Sequence, residues 1–193
     1  ERWLELATQN LNFLTSQQMT SDGKLWHNFK GNKSNINAYL EDYALLIDAL
    51  IRYYEVTLDT TTLPKIKKLT EYVFGHFEQA PSGMFYFKSK LDPELVSKKA
   101  EITDNVIPAS NSVMATNLYK LGLILEDGDL IELSKTQLAQ VESSFSQYPG
   151  GYSQWMMLHM MISQPYFEVA IVGEDCLKKL EDLQASYLPN VVF

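Results

Sequence analysis

Cysteine is nearly absent from this chain. Cys176 is the only one among 193 residues, which excludes an internal disulfide, a Cys-x-x-Cys motif and a thiolate zinc cluster. That usage fits a reducing compartment, so the cytoplasm is the expected location. Basic residues are also scarce, 16 against 24 acidic, for a net charge of −8. Such a balance opposes contacts that work by neutralising phosphates or an anionic lipid surface, and neither nucleic acid nor a membrane is an expected partner. No apolar run approaches the roughly 18 to 20 residues that a spanning helix needs. The first residues lack the charged-then-apolar pattern of a secretory signal. Histidine occurs three times, with no two at metal-ligand spacing, and neither a Gly-rich phosphate loop nor a Gly-x-Ser-x-Gly elbow is present. No metal and no cofactor are expected. The opening ERWLEL, already helical and without Met, reads as a piece of something longer.

What is there is apolar and helical. Hydrophobic residues make up 46% of the chain and aromatics 12%, enough for a packed core. Apolar positions recur at helical intervals over Arg2 to Met19 and again from Ala38 to about Thr57, where Asn37 is the expected cap. A third helix is expected from Thr62 to about Gln79 with Pro64 in its first turn, followed by a short extended MFYF segment. Further helices are expected up to Gly122, from Asp127 to about Gln147, and from Tyr152 to Ser163. The fold class is mainly α, three consecutive αα-hairpins over 1–164. Residues 165–193 differ in kind. YFEVAIVG, a helix from Asp175 and NVVF predict a small parallel βαβ unit.

The stretch AYLEDYALLIDAL holds the first candidate for chemistry. On a helix Asp42 neighbours Ala38, Tyr39, Leu45, Leu46 and Ala49, whereas Glu41 lies with Asp48 and Arg52 on a stripe that reads as solvated. A carboxylate among apolar side chains needs a compensating partner or a wet cavity. Asp42 therefore either anchors a loop by accepting backbone N–H groups or lines a polar pocket as a ligand or acid–base group.

Two long segments carry a family resemblance. AYLEDYALLIDALIRYYEVTLD, and EITDNVIPASNSVMATNLYKLG at 101–122, resemble the two hallmark segments of the YyaL-type proteins, which include the spermatogenesis-associated thioredoxin-domain proteins. GMFYF and PYFEVAIVG resemble two further family segments. Where relatives have an Arg-x-Lys pair before the acid, SKKAE places Lys98 and Lys99. The resemblance implies an N-terminal thioredoxin-like domain, absent here, followed by an α/α toroid similar to N-acylglucosamine 2-epimerases and six-hairpin glycosidases. This chain would then be the second half of that toroid.

Other candidates follow from residue type. Asp104, Asn105, Ser110, Asn111 and Ser112 crowd the entrance to the fourth helix, either as caps or as groups facing a sugar hydroxyl. His159 lies one turn after Trp155 and two after Tyr152, an arrangement that serves as a sugar-stacking wall or as core. His27, on the loop before the acid-pair helix, is within reach of a pocket. The catalytic candidates are Asp42, His27 and His159. The expected binding set is Asp42, Tyr43, Asp104, Asn105, Ser110, Asn111, Ser112, Tyr152 and Trp155. The expected function is binding of a carbohydrate or other small molecule, epimerase-like if catalytic. The alternative is a scaffold for the parent's thioredoxin-like domain, and exposed flanks of a half-toroid favour a dimer.

Overall fold

The computed structural model describes residues 2–93, 98–188 and 190–193. Within the SKKAE stretch, Ser97 lies outside them. The described chain is mainly helical. Helix α1 (Arg2–Phe13) runs into a π-type turn, Leu14–Gln18. There the Gln18 side chain donates to the Trp26 carbonyl at 2.9 Å, while the Trp26 N–H returns to the Gln18 carbonyl at 3.0 Å. Isolated bridges Met19–Leu25 and Trp26–Asn37 draw the intervening segment into a doubled-back loop. That loop carries His27 to the start of the next helix.

Helix α2 (Leu40–Thr57) begins two residues later than its periodicity suggested. Asn37, the expected cap, instead donates to the Asp92 carboxylate at 2.6 Å. Tyr39 is the N-cap residue, and Asp42 at the third helical position accepts its backbone N–H at 2.8 Å, the reaching-back half of a capping box. Asp59 accepts the Thr61 N–H and opens the turn into α3 (Leu63–Phe77), where Pro64 costs no helical hydrogen bond. β1 (Glu78–Gln79) and β2 (Met84–Phe85) pair antiparallel. Helices α4 (Ser110–Leu125), α5 (Gly128–Ala139) and α6 (Ser153–Ser163) follow. α5 ends well before Gln147 because Val141 turns into the core and Gln140 anchors on the Ser82 carbonyl at 2.6 Å.

The C-terminal unit forms as expected in order but not in extent. β3 (Phe167–Glu168) pairs parallel with β4 (Val191–Val192), and α7 (Cys176–Gln184) lies between them in sequence. The run through Val172 leaves the strand after two residues, and Val172 is exposed.

α4 is the centre of the packing. Every residue from Ser110 to Tyr119 is buried, and the helix touches α2, α5 and α6. Gly122 permits the closest approach, since a Cβ there would sit 2.6 Å from the Ile131 side chain and 2.9 Å from the Asp127 carbonyl. One apolar cluster joins α2, α3 and α4 through Ile47, Leu50, Ile66, Leu69, Phe77 and Met114. A second joins α4, α5 and α6 through Ala115, Tyr119, Leu138, Trp155 and Leu158. Each fully buried large side chain contributes about 1.5–3 kcal/mol. α2, α4 and α6 thus lie side by side in order, with their N-termini set by the polar segments discussed next.

Candidate functional site

His27 and Asp42 meet at the N-terminus of α2. The His27 Nδ1 stands 2.9 Å from Asp42 Oδ2 and 3.1 Å from Oδ1, while Oδ2 also accepts the Tyr39 N–H. Because an ionised carboxylate only accepts, Nδ1 carries the proton and donates it. Among the described residues Nε2 has no protein partner, so its lone pair is available. The Tyr39 ring meets His27 edge-on at 5.2 Å and stacks on Phe87 at 5.0 Å, fixing the imidazole plane.

The pair opens into a cleft of about 260 Å³, walled by Leu14, Leu25, Trp26, Leu46 and Ala49. Asp42 is 26% exposed and His27 39%, neither sealed nor in bulk solvent. Glu41, expected on a solvated stripe, is half-buried instead. Burial raises its carboxyl above the usual range, and the nearby negative charges of Asp42 and Glu101 add to this, opposed by His27. Glu101 accepts the Ser110 N–H at 3.1 Å and so marks the start of α4.

The polar group at the α4 entrance is joined to the protein rather than to the cleft. Asp104 accepts the Ala109 N–H and Gln154 N–H, both at 2.8 Å, and the hydroxyls of Ser112 at 3.1 Å and Ser153 at 3.2 Å. One carboxylate therefore ties the beginnings of α4 and α6 together. Asn111 behaves as a strand edge, with its Oδ1 accepting the Phe85 N–H and its Nδ2 donating to the carbonyls of Phe85 and Glu101. Ser110 is buried with an Oγ that has no partner among the described residues, and Asn105 is exposed. None of these five side chains lines the His27–Asp42 cleft.

The aromatic candidates divide. Tyr43 is buried, stacks on Tyr72 at 5.5 Å and accepts the Leu25 N–H at 2.7 Å, and burial pushes its hydroxyl far up. Trp155 is fully buried and donates to the Ile102 carbonyl at 2.8 Å. Both are core residues. Tyr152 packs on Phe145, and His159 pairs with Glu142 at 2.9 Å on that same surface, apart from the cleft residues. Trp26 and Gln18, which do line the cleft, escaped the sequence reading. The adjacency of Trp26 to His27 was the available signal. Among the described residues no three His, Cys, Asp or Glu side chains come together to hold a metal, and no helix is long and apolar enough to cross a membrane.

No family model matches the chain. Over 161 residues it is 22% identical to spermatogenesis-associated protein 20 of Rattus norvegicus, an alignment that covers 80% of this chain and 20% of that protein. That similarity supports the family resemblance carried by the two motifs. The chain spans about a fifth of its relative's length, and the mainly α fold with a small C-terminal strand unit agrees with the motif reading.

Proposed function

We propose that the chain is half of an α/α toroid and that its functional site is the His27–Asp42 cleft, which takes a small hydroxylated molecule such as a sugar or polyol. One observation carries this reading: a histidine whose Nδ1 is held by a carboxylate and whose Nε2, without a partner among the described residues, stands beside an open cleft. The succession of α2, α4 and α6 supports the toroid, because inner helices of such a fold neighbour one another in that order.

The dyad suits proton transfer at carbon beside a sugar carbonyl. Asp42 fixes the tautomer, Nε2 accepts the proton, and Asp42 stabilises the imidazolium that results. The proton then returns to carbon to give the isomer. A thermal-shift screen of mono- and disaccharides on the full-length parent tests this. A sugar should raise the melting temperature of the parent and not of Asp42→Asn or His27→Gln. If no sugar raises it, the carbohydrate reading is wrong.

A second reading is favoured by Asp104 and Asn111, whose polar groups are occupied by the protein's own backbone. These serve a scaffold as well as a site, with the thioredoxin-like domain of the parent as the partner. Under that reading Asp42→Asn leaves every sugar response unchanged, and the separately purified thioredoxin-like domain binds the helical part.

A further inference from the structure

A second cleft, of about 490 Å³, lies between α2, α4, α6 and the C-terminal unit. Its chemistry differs from that of the His27 cleft. Lys120 on α4 donates to both oxygens of Glu55 on α2, at 3.0 and 3.2 Å, with the two side chains only 14% and 15% exposed. A pair this desolvated gains little over apolar packing, and the rest of α4 shows that apolar packing is available there. Stability does not account for it.

The pair is also incomplete as a hydrogen-bonding unit. Glu55 occupies two of the three ammonium donors, and among the described residues the third has no protein partner. Arg52 stands beside it on α2. Its Nε is committed to Asp48 at 2.8 Å, leaving the two terminal nitrogens without a protein partner among the described residues. Among the described residues the charged side chains lining the cleft are Arg52, Lys120 and Glu55, and Arg52 is also paired with Asp48, so the cleft offers open cationic donors rather than a net positive charge. The Gln184 side chain donates to the Glu55 carbonyl at 2.7 Å, so the C-terminal helix helps to hold the charged end. The opposite walls are soft and aromatic, supplied by Met157, Met161, Tyr166 and Leu188.

We propose that this cleft is a binding site for a small carboxylic acid with a flat apolar body. The carboxylate meets the open donors of Arg52 and Lys120, the guanidinium supplying a fork and the ammonium a point charge. The body lies among the thioethers and the Tyr166 ring, surfaces that adapt to planar ligands. The volume falls in the ordinary range for such sites. The proposal does not rest on the His27–Asp42 reading.

Isothermal titration of 3-phenylpropionate into the full-length parent tests it, with 3-phenylpropanamide as the uncharged counterpart. The acid should bind saturably and about tenfold more tightly than the amide. Arg52→Gln, at a largely exposed side chain that does not endanger folding, should weaken the acid by a similar factor. The pair Glu55→Gln with Lys120→Met, its helicity checked by circular dichroism, should abolish the preference for acid over amide. Asp42→Asn should leave binding unchanged. The proposal is overturned if the acid does not bind, if acid and amide bind alike, if Arg52→Gln has no effect, or if Asp42→Asn removes binding.

Discussion

Asp42 shows how much one side chain decides. Its position among apolar neighbours was visible in the sequence, but its partners were not, because His27 approaches from a loop whose course depends on bridges such as Trp26–Asn37. Since Asp42 also closes the N-terminus of α2, Asp42→Ala should lower stability by about 1 kcal/mol in a denaturant titration, whereas Asp42→Asn retains an acceptor and should lose less. Glu41 supplies a pH test. Its carboxyl is raised in the folded chain, so it holds its proton more tightly there than when unfolded. Its contribution to stability is therefore fully present below the ordinary glutamate range and lost as pH rises through the raised folded value. Glu41→Gln should accordingly be more stable than the parent at about pH 7 and equal to it at about pH 3, as read from urea midpoints; a gain of equal size at both values would contradict the assignment. Tyr43 and Trp155 mislead a reader for the reason that makes them good core residues: each carries a polar atom that ends up bonded to backbone inside the protein.

Helices were legible because their apolar spacing repeats over many residues, and α2 to α4 all lie within their expected neighbourhoods. Short strands were not, since two-residue pairings such as β1–β2 depend on a partner rather than on their own pattern. Asn111 illustrates the difference. Within ASNS it reads as a cap or a ligand, yet it supplies the missing strand partner for Phe85 and so fastens β2 to α4. Asn111→Ala would take the side-chain partner from the Phe85 N–H and carbonyl in a dry place, while the Glu101 carbonyl keeps the backbone N–H of residue 111. It should cost about 3 kcal/mol in denaturant unfolding, and the Phe85 amide should lose its protection from hydrogen exchange. Asn111→Asp keeps one acceptor but removes the donors, so it should not rescue the loss.

At the scale of the whole molecule, the contacts that shape both clefts join residues far apart in sequence. Lys120 reaches Glu55 across 65 positions, and Gln184 reaches the Glu55 carbonyl across 129. Periodicity carries no trace of such pairs, which is why the second cleft was invisible until the helices were placed. The same placement sets an order of local stability. α4 is buried along most of its length and touches three other helices, whereas α1 has no buried residue and displays Trp3 at 79% exposure. α7 buries only Leu180. Opening α4 must disrupt both apolar clusters, while α1 and α7 open at the cost of few contacts. Native-state hydrogen exchange should therefore find the slowest amides in α4, at the free energy of global unfolding, with α1 and α7 exchanging through smaller openings that denaturant barely accelerates. If α1 amides were as protected as those of α4 in the isolated chain, a covering surface would have to be present, and sedimentation at the same concentration would identify it as a second copy.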